Sequence, residues 1–138
     1  MEKVELVDKW IGNLLDSIRE QGLWDETMVI ITSDHGTIRI DNPVKVTGDR
    51  ETSANLRYKT GRNLAYNSRE VYEITRPEDI QLPSINLSSS YIFAYNTDFL
   101  VYNNDANRYI RYYRNTYQHG GISMEEMLVP YIVLKPKQ

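Results

Sequence analysis

Met28-Val29-Ile30-Ile31-Thr32-Ser33-Asp34-His35-Gly36 is the stretch on which the fold turns. Its first five residues are apolar and mostly β-branched, the pattern of a strand buried on both faces as in a parallel sheet. The next four change character at once, to a hydroxyl, a carboxylate, an imidazole and a glycine. In open α/β sheets ligands gather beyond the carboxyl ends of strands, so metal-competent residues at that point stand where chemistry is placed. Asp34 and His35 would point to opposite sides of a strand, but a turn at Gly36 lets them converge. Taken alone the triplet is a weak motif, since a single histidine is more often a satisfied polar residue than a ligand.

Upstream of the strand, Val4, Leu6, Val7, Trp10, Ile11, Leu14, Leu15 and Ile18 fall at helical spacing with charged residues between them, which predicts an amphipathic helix over 3–21. Gly22 is placed to take the left-handed conformation just past its end, with Leu23 making the accompanying apolar contact. Downstream, alternation from Thr37 to Thr47 around Asp41-Asn42-Pro43 reads as two short strands about a turn. Residues 48–69 are polar and weakly patterned, a long loop with a helical turn, and long ordered loops are often functional. Val71–Ile74 and the turn at Pro77-Glu78-Asp79 add little, and 83–90 is irregular. Tyr91–Tyr95 and Asp98–Tyr102 resemble paired strands joined by Asn96-Thr97. Asp105 is placed to cap a helix to about Arg114. Ser123 and Glu126 have capping-box spacing ahead of a helix over Met124–Leu128, and Val129–Leu134 is the last strand. With no repeat, low-complexity stretch or obvious linker, the 138 residues read as one unit.

Composition narrows the functional classes. With 41% hydrophobic residues the chain can bury a core, and with no cysteine it has neither thiolate nucleophiles nor disulfides, which fits a reducing cytoplasm. No run approaches the roughly 20 apolar residues of a membrane span. The net charge of −3 conceals an uneven distribution: residues 45–69 carry Lys45, Arg50, Arg57, Lys59, Arg62 and Arg69 against Asp49 and Glu51. Such a local positive field suits an anionic ligand better than long nucleic acid, although a solvated basic loop looks the same in sequence. Most of the eleven tyrosines are expected on half-buried faces, where the ring packs and the hydroxyl stays wet.

Both histidines of the chain sit in short glycine-bearing loops, and the second opens His119-Gly120-Gly121-Ile122-Ser123-Met124-Glu125-Glu126-Met127-Leu128-Val129-Pro130. An apolar strand ending in Thr-Ser-Asp-His-Gly, followed at this distance by His-Gly-Gly, resembles the PglZ domain of the alkaline phosphatase superfamily. The likeness extends through Asp49-Arg50-Glu51-Thr52, Leu56-Arg57-Tyr58-Lys59-Thr60-Gly61-Arg62 and Tyr112–Pro130. More particularly, the chain resembles the output domain of bacterial two-component response regulators in which a receiver domain precedes PglZ.

The resemblance implies an α/β fold, a partial alkaline-phosphatase-like mixed sheet flanked by helices, with residues 1–138 the C-terminal portion of a larger domain. It implies a two-zinc hydrolytic site acting on a phosphoester or phosphodiester, in which Asp34 and His35 ligate one ion and His119 the other. Imidazole and carboxylate suit zinc, and paired cations suit phosphoryl transfer. The nucleophilic Thr or Ser and the other ligands are expected upstream, so the site here is incomplete and the chain inactive by itself. Arg57, Lys59 and Arg62 are candidates to hold substrate phosphate, because guanidinium matches phosphate bidentately. Glu125 and Glu126 look like an acid pair, but the capping box gives Glu126 a sufficient structural role. The competing reading is a non-catalytic cytoplasmic signalling domain that dimerises or binds a partner through the tyrosines of 91–117.

Overall fold

The computed structural model describes residues 2–49, 54–61, 63–83, 90–104 and 106–136. In chain order the elements are α1 (Glu2–Glu20), β1 (Val29–Thr32), β2 (Ile38–Arg39), β3 (Asn42–Val46), β4 (Tyr58–Gly61), β5 (Val71–Ile74), β6 (Ser90–Ala94), β7 (Asp98–Tyr102), α2 (Ala106–Tyr113), β8 (Tyr117–Gln118), α3 (Met124–Met127) and β9 (Tyr131–Leu134). The architecture is mixed α/β, with several small sheets and few helices. The chain forms two compact units, Met1–Ser33 with Pro130–Gln138, and Asp34–Val129.

In the first unit α1 ends as its sequence predicts. Gly22 takes φ 70°, its N–H donates to Arg19 O at 2.9 Å, and the Leu23 N–H donates to Ile18 O at 3.1 Å, the paired bonds that close a helix on a left-handed residue. The apolar stripe of α1 forms but stays open, with Val4 73% and Trp10 61% exposed. Strand β1 pairs antiparallel with β9, Val29 opposite Leu134 and Thr32 opposite Tyr131. This corrects the expectation of a strand buried on both faces of a parallel sheet. Ile30 is exposed, and only Val29 and Ile31 of β1 are half-buried, in alternation. An apolar run records a preference for burial, whereas pairing direction depends on a strand that is remote in sequence.

The second unit is organised around β7. This strand pairs in parallel with β3, Asn42 opposite Asp98 and Val46 opposite Tyr102. Successive side chains on a strand face opposite ways, and both faces of β7 are covered. Leu100 packs with Val44, Val46, Val71, Ile92 and Ala94. Phe99 and Val101 pack with Ile38, Ile40 and Ala106. Beside this pair stands an antiparallel sheet in the order β4-β6-β5.

Three expectations change here. The stretches 91–95 and 98–102 are strands, but they do not form a hairpin: β6 lies between β4 and β5, and β7 joins β3. The turn between them is tight, with Asn96 at φ 37° and the Asp98 N–H bonded to Tyr95 O at 2.8 Å, yet each strand takes its ladder partners elsewhere. Likewise β2 and β3 pair with β8 and β7 rather than with each other. The segment 48–69, expected as a loop, contains β4. Its alternation is hidden by charge, because the inward positions Arg57 and Lys59 are ionisable. The proposed cap Asp105 lies outside the described residues. The tyrosines divide between roles, Tyr91 buried and Tyr112, Tyr117 and Tyr131 well exposed.

Lys59 has a consequence for stability. Its side chain is buried with the ammonium over the Tyr102 ring, 4.4 Å from the centroid, a favourable contact for a cation. Burial nevertheless lowers its pKa from 10.5 to about 8. Below pH 8 Lys59 is charged in both folded and unfolded chains, and the full desolvation cost is present. Between pH 8 and 10.5 the folded form has released the proton while the unfolded form retains it, so stability rises with pH by roughly 3 kcal/mol. Denaturant titrations from pH 7.5 to 10.5 should show this rise in the wild type and its absence in Lys59→Met.

Candidate metal centre

Strands β2 and β8 bring the two histidines together. β2 begins three residues after His35, β8 ends just before His119, and they pair antiparallel with Ile38 opposite Gln118. The pairing is extended by Ile40 N–H to Thr116 O at 3.0 Å and Asn115 N–H to Ile40 O at 2.6 Å. The imidazoles of His35 and His119 consequently stack, with centroids 3.9 Å apart and planes 15° from parallel.

Each histidine loop is held from its backbone. The Gly36 N–H donates to the main-chain oxygen of Glu126 at 2.9 Å. The His119 carbonyl accepts from Asn55 Nδ2 at 3.3 Å, and the Gly121 N–H donates to Glu126 Oε1 at 2.9 Å. Gly36 and Gly121 are required by proximity: a Cβ on Gly36 would overlap the Glu125 carbonyl, and one on Gly121 would overlap the Glu126 carboxylate. The expected capping box is present at the start of α3, where the Ser123 N–H donates to Glu126 Oε2 at 3.3 Å.

Side-chain contacts set the direction of His35. Its Nδ1 lies 2.9 Å from Gly36 O, and a carbonyl can only accept, so Nδ1 is the donor and the neutral ring has its lone pair on Nε2. That nitrogen is 3.7 Å from Asp34 Oδ1, which also accepts the His35 N–H at 3.0 Å. Asp34 is highly exposed, so its carboxylate is accessible. A fixed tautomer with a free Nε2 beside a carboxylate is the arrangement in which histidine binds a divalent metal. In donor type these residues fit zinc. In number they do not complete a site: among the described residues no group of three or more His, Asp or Glu side chains is placed to hold a metal ion.

The basic candidates have another use. Arg57 is fully buried, donating from Nε to Glu126 Oε1 at 2.9 Å and from Nη2 to Glu126 Oε2 at 3.0 Å, with Nη1 bonded to the Asp98 carbonyl. Its donors are directed into the protein, and Lys59 is buried as well. The reading of Arg57 and Lys59 as phosphate-holding groups is therefore corrected to one of internal support. Arg62 lies outside the described residues. Burial pushes the Glu126 carboxyl up, but the Arg57 hydrogen bonds, the Gly121 N–H, the Arg57 charge and Ser123 together hold it below the usual carboxylate range.

The two histidines singled out by the sequence are brought together, while Asn55 and the Arg57–Glu126 pair behind them were not foreseen. The Ser-x-x-Glu spacing singled out Glu126, but only as a helix cap. Nothing local marks Arg57 as its partner across 69 positions.

The family described as "BREX system PglZ alkaline phosphatase-like domain" matches residues 2–134. No curated protein matches the chain significantly. Among the described residues no helix is long and apolar enough to cross a membrane.

Proposed function

Since the chain belongs to the PglZ family of alkaline phosphatase-like domains, we propose that it contributes Asp34, His35 and His119 to a two-zinc centre that hydrolyses a phosphoester or phosphodiester. The observation that carries this reading is the stacked histidine pair. The two rings lie face to face, 3.9 Å apart in nearly parallel planes, on the scale of the roughly 3.5–4 Å between ions in two-metal phosphoryl-transfer sites. Asp34 and His35 would serve one position and His119 the other. Zinc in such a pair supplies electrostatic stabilisation to the attacking and leaving oxygens of the displacement. The protein's part is to hold the His35 ring with Nε2 free, keep Asp34 beside it, and keep His119 over it. Further donors must join these three, because the chain has only two histidines. A response regulator with a receiver domain ahead of this one is the setting we propose.

The test uses zinc alone. Addition of zinc to the 138-residue chain, followed by NMR of the two imidazoles, should shift the side-chain signals of both His35 and His119, with weak affinity and with reversal by EDTA. Zinc that binds the chain while leaving both imidazoles unmoved would remove the assignment.

A second reading, a domain that acts through partner contact or homodimerisation, draws on the exposure of Tyr109, Tyr112 and Tyr117.

A further inference from the structure

Glu126 touches the histidine site twice, through two different groups. Its main-chain oxygen accepts from Gly36, next to His35, and its carboxylate accepts from Gly121, two residues beyond His119. The two loops are 84 positions apart in sequence, and one residue spans them. The carboxylate has little freedom to drift, because the Arg57 guanidinium grips both its oxygens in a buried bidentate pair. Arg57 is tied in turn to β7 through the Asp98 carbonyl, and its own N–H donates to Asn55 Oδ1 at 2.7 Å. Asn55 then returns to the site by donating to the His119 carbonyl. The chain of contacts is closed: Glu126 to both loops, Glu126 to Arg57, Arg57 to Asn55, Asn55 to the His119 loop.

A helix cap alone does not require this arrangement. Capping of α3 uses the Ser123 N–H and one Glu126 oxygen, and an exposed cap would suffice for four helical residues. Burying an arginine and a glutamate is costly unless their geometry and remaining hydrogen bonds are well satisfied. Here the bonds beyond the ion pair go to Gly121, Asp98 and Ser123, and the first of these lies two residues from His119.

We infer that Glu126, held by Arg57, is the positioning residue of the histidine pair, a single clamp that sets His35 and His119 face to face. It contacts no metal donor atom and acts through the backbone of both loops. This role rests on the metal-centre reading for its purpose, but the clamp itself is a property of the metal-free chain.

The experiment is therefore carried out without zinc. In the wild-type 138-residue chain the stacked rings shield each other, and their Hε1 resonances should be displaced upfield. Glu126→Gln keeps the side-chain volume and an acceptor for Gly121, but it cannot accept from both Arg57 nitrogens and Gly121 in the same way. The variant is expected to lose the upfield displacement at both His35 and His119 while the methyl signals of Val44 and Leu100 stay in place. If Glu126→Gln does not fold, Gly121→Ala provides the same readout. Its Cβ falls on the Glu126 carboxylate, and the His35 signal should move although the substitution lies in the other loop. A His35 signal unchanged from wild type in either folded variant overturns the clamp. A clamp that passes this test beside wild-type imidazoles that ignore zinc would leave the positioning role standing and remove the metal reading.

Discussion

Arg57→Ala is expected to destabilise the protein by about 3–5 kcal/mol, because it leaves the Glu126 carboxylate buried without its cation. Set against a net stability of about 5–15 kcal/mol for an ordinary domain, that is a large share. The pH dependence identifies the cause. In the wild type Glu126 is held below the usual carboxylate range, so the pair's contribution is fully present above the unfolded carboxyl's pKa and is lost as pH falls through the lower folded value. Without Arg57, burial dominates and pushes the Glu126 carboxyl up. Its contribution then reverses sign: the variant gains relative stability on acidification, as the buried group is neutralised. Urea titrations between pH 3 and 7 should therefore show the stability gap between wild type and variant narrowing as pH falls. A gap that is small, or that does not depend on pH, would mean that the pair is hydrated and contributes little. A double replacement of Arg57 and Glu126 by apolar residues of similar volume should cost less than Arg57→Ala, since neither charge is then stranded.

The second large effect concerns chemistry. On the proposed two-zinc reading, His119→Ala in the zinc-supplied protein is expected to lower turnover of an activated phosphodiester such as bis(p-nitrophenyl) phosphate by at least about 100-fold, given that even outer-shell partners of metal ligands are worth 10–100-fold. Folding should be spared. His119 is exposed, and its loop is held through its own carbonyl and through Gly121, which the substitution leaves in place. Equal turnover in the variant would exclude His119 from the centre, and loss of the circular dichroism signal would show that the residue serves the fold.

Much of the local structure was legible because its causes are local. The spacing of Val4, Val7, Trp10, Ile11, Leu14 and Ile18 specifies a helix whatever covers it, and Gly22 ends it through a backbone conformation that suits glycine. Ser123 and Glu126 announce the start of α3 in the same way. The strand character of β1, β6 and β7 follows from β-branched and aromatic runs. Arg57-Tyr58-Lys59-Thr60 was hidden, since an ionisable side chain is read as solvent-facing until a buried partner is found for it.

The sequence alone therefore determined where the metal-competent side chains Asp34, His35 and His119 stand along the chain, and that glycines lie beside them. Residue type and backbone freedom are properties of short stretches. Only the tertiary structure decided that β2 meets β8, that the two imidazoles consequently stack, and that Arg57 and Lys59 face the interior. Strand partners are chosen by competition among all apolar faces for the shared core around Phe99 and Leu100, and a buried ion pair exists only when that competition brings its halves together. Glu126 shows both kinds of determination: its place as a cap is written three residues from Ser123, and its hold on the histidine pair follows from where the rest of the chain places Arg57 and Gly36.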